Sequence, residues 1–128
     1  MAEWRYYNPN PAGLHIGDCV VRAISAVTDQ DWEQTYTGLA LQGYALSDLP
    51  HANHVWRAYL RSKGYDVAAI PNTCPNCYTV GDFADEHPEG RYVLGTGTHA
   101  VAAIDGVIWD TYDSRSLIPI VYFYKKER

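Results

Sequence analysis

A chain of 128 residues, 47% of them hydrophobic, is long enough for one packed core and short for two. Its net charge of −5 argues against nucleic acid as a partner, because phosphate neutralisation needs a basic face. No stretch approaches the ~20 apolar residues of a membrane span, and Met1-Ala2-Glu3-Trp4-Arg5 lacks the basic-then-apolar start of a signal peptide. The expectation is one domain over residues 1–128, working in the cytoplasm. In that reducing compartment an odd number of cysteines, three, reads as thiols rather than a disulfide framework.

The first eighteen residues are rich in Asn, Pro, Gly and Tyr and read as an ordered loop. A helix is predicted from Cys19 to Val27, with Val20, Ala23, Ile24 and Val27 as its apolar stripe. A second starts at Asp31-Trp32-Glu33-Gln34, where Asp31 can cap; Trp32, Tyr36, Leu39 and Ala40 would be its buried side. A third, from Ala52 to Lys63, turns Val55, Trp56, Tyr59 and Leu60 inward and stops at Gly64.

Periodicity then changes. Tyr65 to Ile70 reads as a short strand, followed by a turn-rich segment over Pro71 to Cys77. Thr79-Val80-Gly81-Asp82 is a second capped start, for a short helix that ends before Pro88. Strands are predicted over 91–95, 99–104, 107–112 and 119–124. Helices first and an antiparallel sheet last make an α+β plan.

Two residues carry candidate chemistry. Cys19 opens its helix, where unpaired N–H groups and the helix dipole favour a thiolate, and where its own N–H can donate to an oxyanion. The competing reading is a buried small hydrophobe, though position 19 lies at the edge of the apolar stripe. His99 opens a run that returns through Asp105-Gly106, a type I′ hairpin signal, into Val107 to Asp110. With that turn, residue 104 pairs with 107, 102 with 109 and 101 with 110. Asp110 then shares a face with His99 and lies diagonal to it, within reach of an imidazole. Asp113 would face the other way and Asp105 sits in the turn, so Asp110 is the orienting carboxylate in this register.

Asn8-Pro9-Asn10-Pro11, Gly17-Asp18-Cys19-Val20-Val21-Arg22-Ala23-Ile24, Thr98-His99-Ala100-Val101-Ala102 and Asp110-Thr111-Tyr112-Asp113-Ser114 together resemble small papain-like cysteine peptidases of phage and prophage origin. More distantly, the chain is similar to peptidase domains that share the order Asp-Cys, His, Asp. The resemblance implies a helix-borne nucleophile packed on an antiparallel sheet, with His99 as general base and Asp110 orienting it. It implies a peptide or protein substrate and calls for no cofactor. It also implies an oxyanion donor upstream, ordinarily a glutamine six residues before the nucleophile, where this chain has Gly13. Asn10, then Asn8, are the candidate replacements and His15 a weaker one; each asparagine equally reads as a turn former beside proline.

Cys74-Pro75-Asn76-Cys77 is a lone C-x-x-C pair, which reads as a turn with two incidental thiols, with an occasional disulfide as the alternative; a structural zinc site needs four ligands. The expected function is therefore a thiol-dependent acyl-transfer hydrolase, a cysteine peptidase or isopeptidase. Deamidation and transglutamination use the same machinery. Two alternatives stand beside it: a catalytically silent phage-encoded protein that binds a host factor, and a small zinc or redox module on Cys74 and Cys77.

Overall fold

The stripe at 20, 23, 24 and 27 becomes the buried side of helix α1 (Cys19–Thr28) in the computed structural model, which describes residues 2–125. Helix α2 (Trp32–Leu46) starts where its cap predicts, with the Asp31 side chain accepting from the Gln34 N–H at 2.7 Å. Its buried side is the expected one only in part: Leu39 is buried and Trp32 packs half-buried against the core, whereas Tyr36 is exposed. Thr35, Leu39 and Gly43, spaced by four, face inward, while exposed Tyr36 stacks on half-buried Trp32. The orientation follows from two close approaches: Ser25 of α1 donates to Thr35 Oγ1 at 2.9 Å, and a Cβ at Gly43 would lie 2.6 Å from the Asp48 carbonyl. Helix α3 (Asn53–Ser62) buries Val55, Trp56, Tyr59 and Leu60 as expected, and Gly64 after it has a φ of +89°.

Strands β1 (Glu3–Tyr6), β2 (Tyr65–Ala69), β3 (Arg91–Gly95), β4 (Ala100–Ile104), β5 (Val107–Asp110) and β6 (Val121–Lys125) form one sheet in the order β1-β5-β4-β3-β6-β2. Helix α4 (Val80–Glu86) lies between β2 and β3 in the chain. The α+β plan holds, with two corrections. The first eighteen residues contain an edge strand, β1, and that strand runs parallel to β5 in an otherwise antiparallel sheet. Its partner lies about a hundred residues away, so no local turn signal announces it.

Alternate residues of the sheet feed two cores. Val93, Ala100, Ala102 and Phe123 pack with α1, α2 and α3; Leu94, Val101, Ala103 and Ile108 pack with α4. The α4 start is a reciprocal capping box between Thr79 and Asp82. Thr79→Ala is expected to lower stability by about 1 kcal/mol in urea unfolding, the usual cost of such a cap. An unchanged midpoint would show that packing alone holds α4.

The Asp105-Gly106 turn forms with φ of 50° and 79°, the positive values that a type I′ turn requires. It sets the expected pairs 104–107, 103–108 and 102–109. Cys74 and Cys77, read as thiols, are instead joined in a disulfide. The turn brings them together: Asn76 N–H donates to the Thr73 carbonyl, and the Thr73 hydroxyl donates to the Asn76 carbonyl at 2.6 Å. No helix among the described residues is long and apolar enough to cross a membrane.

Candidate active site

Three element ends converge at one end of the sheet. Cys19 is the first residue of α1, His99 immediately precedes β4, and Asp110 is the last residue of β5. His99 Nε2–H donates to Asp110 Oδ2 at 2.7 Å, which leaves Nδ1 as the ring nitrogen free for the thiol. Cys19 is an unpaired, half-buried cysteine whose sulfur interacts with the His99 ring and with the Ala100 N–H.

The reason for the convergence differs from the strand-parity argument. The 101–110 pair does not form; Asp110 pairs with Tyr6 of β1, and its carbonyl accepts from the Tyr7 N–H at 2.9 Å. Val101 and Ala103 point toward α4, away from the helix that carries Cys19. His99 lies just before β4 and Asp110 ends β5, and Asp110 bonds both His99 and Arg22 of α1.

Burial pushes the Cys19 thiol up, but the His99 hydrogen bond, the Ala100 N–H and the charges of His99 and Arg22 outweigh it, so the thiol lies below its ordinary value. Burial also opposes a charged His99, yet its bonds to Asp110 and Cys19 raise it to about 9. Asp110, wholly buried, is disfavoured as an anion by burial and is nonetheless held below the usual carboxylate range, chiefly by His99. These directions favour a thiolate beside an imidazolium, the reactive form of such a pair.

A buried arginine completes the arrangement. Arg22, 4% exposed, donates from Nη1 to Asp18 Oδ1 at 2.7 Å and from Nη2 to Asp110 Oδ1 at 2.9 Å. Asp18 Oδ2 accepts from Trp32 Nε1 at 2.9 Å. The run Trp32–Asp18–Arg22–Asp110–His99 therefore leads to Cys19 with each carboxylate oxygen used. Sequence reasoning missed the roles of Arg22 and Trp32. The available signal was Asp18 and Arg22 at i and i+4, with the arginine inside an otherwise apolar stretch. Because Asp18 is committed to this run, it makes no side-chain cap on α1, and Cys19, the first residue of that helix, lines the cleft.

The cleft has a volume of about 690 Å³ and is bounded by α1, α3, the residues around His99 and the β6 side of the sheet. Tyr112 stands over the imidazole with ring centroids 5.2 Å apart. The asparagines expected to assist do not line it. Asn10 Oδ1 accepts from the Ala12 and Leu14 N–H groups, and Asn8 bonds the Asn10 N–H and the Leu14 carbonyl, so both serve as loop formers. His15 meets the Tyr6 hydroxyl at 3.0 Å. Asp105 accepts from the Gly90 N–H and Asp113 pairs with Arg115, both remote from the imidazole's bond. Cys74 and Cys77, joined to each other, offer no thiolate to a metal, and among the described residues no group of three His, Cys, Asp or Glu side chains is placed to hold one.

Compared with family models, with curated proteins and with solved structures, the chain matches none.

Proposed function

We propose that this chain is a thiol-dependent acyl-transfer hydrolase, a papain-like cysteine peptidase or isopeptidase acting in the cytoplasm, with Cys19 as nucleophile, His99 as general base and Asp110 as its orienter. The observation that carries the reading is the continuous set Cys19–His99–Asp110 at the mouth of a cleft, with the His99–Asp110 bond at 2.7 Å. The Cys19 sulfur attacks a substrate carbonyl, forming an S–C bond and an oxyanion to which the Cys19 N–H donates. His99, holding the thiol proton, transfers it to the departing amine as the C–N bond breaks. Water, deprotonated by His99, then cleaves the thioester, releasing a carboxylic acid and restoring the thiol.

The test is the rate of Cys19 alkylation by iodoacetamide against pH in wild type and His99→Ala. Wild type is expected to stay reactive well below the range of a free thiol, near 8.5, and His99→Ala to lose on the order of tenfold or more at pH 6–7. Identical profiles in the two proteins would remove the proposal.

A second reading, a silent binding protein, is favoured by one observation: neither Asn8 nor Asn10, the candidate oxyanion donors, lines the cleft beside Cys19. A reactive Cys19 with no turnover of any acyl donor would favour it.

A further inference from the structure

The protein is acidic, with 15 Asp and Glu against 10 Lys and Arg, yet the cleft beside Cys19 is lined by no carboxylate side chain. Apart from the Cys19 thiol and the Tyr112 phenol, its ionisable lining is basic: Arg22, His51, Arg57 and His99. Arg22 is neutralised by Asp18 and Asp110, and His99 is committed to the reaction. That leaves Arg57 and His51, both exposed, at the α3 side of the opening.

Arg57 is the arginine of the lining that no carboxylate neutralises. Arg5, Arg22, Arg91 and Arg115 each meet a carboxylate, within 3.3 Å or less, whereas Arg57 has no ion-pair partner among the described residues. Asp48, the acid whose charge His51 feels, is already paired with His54. Asn53, also on this side, uses its carbonyl oxygen to accept from Trp56 Nε1 at 3.1 Å, so its N–H groups remain the donors available to the opening. Below this rim the floor is apolar: Trp56 and Phe123 pack with ring centroids 5.0 Å apart and are 6% and 2% exposed.

We infer that the cleft recognises a substrate segment carrying a carboxylate, an Asp or Glu side chain or a free chain end, which Arg57 receives at the α3 side while the reacting carbonyl sits at Cys19. The inference rests on the acyl-transfer reading and names the substrate chemistry of the same site. An uncompensated guanidinium at the opening, with no carboxylate side chain in the lining, attracts an acidic segment and disfavours a basic one. An acidic group at the reacting end meets no repelling carboxylate there, since Asp110 is wholly buried behind the imidazole.

The experiment uses tripeptidyl chloromethyl ketones in matched pairs that differ only by Glu or Gln at one of the three positions, with Cys19 labelling followed by mass spectrometry. At one position the Glu member is expected to label about two- to fivefold faster at low salt, the scale of a solvent-exposed ion pair. The ratio is expected to fall with added salt and to approach one in Arg57→Gln. Because the readout is a ratio of two probes on the same protein, a general change in reactivity cancels. Ratios near one at all three positions, with Cys19 labelled throughout, overturn the inference and leave the acyl-transfer reading intact. A Glu preference that survives Arg57→Gln also overturns it. Failure of every probe to label Cys19, with iodoacetamide reactivity independent of His99, overturns both.

Discussion

Replacing Arg22 with methionine is expected to destabilise the fold by about 3–5 kcal/mol, the cost of removing one partner from a buried ion pair. The side chain is 4% exposed and serves two carboxylates, Asp18 and Asp110, themselves 7% and 0% exposed. Methionine fills much of the volume, so the loss measures two stranded carboxylates more than a cavity. Arg22→Lys is expected to recover only part of it, because one ammonium cannot reproduce the fork in which Nη1 meets Asp18 and Nη2 meets Asp110. Urea unfolding of the two variants and of Asp18→Asn/Arg22→Met/Asp110→Asn decides the matter. The triple variant is expected to regain stability relative to Arg22→Met alone, since the uncompensated charges are gone. A loss below about 1 kcal/mol for Arg22→Met, the range of an exposed pair, would mean that water reaches the guanidinium.

The second large effect concerns Asp110 and carries a definite pH signature. In Asp110→Asn the imidazole loses the charged acceptor that its Nε2–H meets at 2.7 Å, and His99 is expected to fall from about 9 toward its ordinary value of about 6.5. His99 is raised on folding, so its contribution to stability is full below about 6.5 and is lost as pH rises through about 9. Asp110 is lowered on folding, so its contribution is present above the ordinary carboxylate value and is lost as pH falls through the lowered one. Wild type is therefore expected to lose stability on both sides of a mildly acidic plateau, and Asp110→Asn to lose the alkaline limb. Turnover of an acyl donor is expected to drop by about two to four orders of magnitude, as when a triad loses the carboxylate that sets its tautomer. Ring-proton titration of His99 by NMR reads the shift directly. An imidazole that still titrates near 9 in the variant would show that Asp110 does not govern it.

Much of this was legible in the chain alone. Helical spacing around Val20, Ala23, Ile24 and Val27, the caps at Asp31 and Thr79, and the inward set Val55, Trp56, Tyr59 and Leu60 are local signals, and they describe the helices well. Asp105-Gly106 announced its hairpin because few residue pairs accept positive φ twice in succession. The failures share a cause. Strand β1 is a four-residue edge element defined by pairing with β5, and the buried side of α2 was chosen by Ser25 and by the chain at Asp48. The disulfide at Cys74 and Cys77 contradicts the reading of free thiols because the turn closes tightly enough to join them.

What the sequence determined by itself was the α+β plan and the identity of three residues, Cys19, His99 and Asp110, each at the start or end of a locally encoded element. What only the tertiary structure decided was how they meet. Strand parity pointed to the aspartate that bonds His99, but put the pair on the face of Val101 and Ala103, which packs on α4, whereas Asp110 bonds Arg22 of α1. Arg22 lay equally outside its reach, since a charge inside a helical sequence reads as a solvated side chain until a carboxylate 88 residues away is folded onto it. Local periodicity encodes elements; only closure of the chain puts two distant charges into the same low-dielectric space and makes each depend on the other.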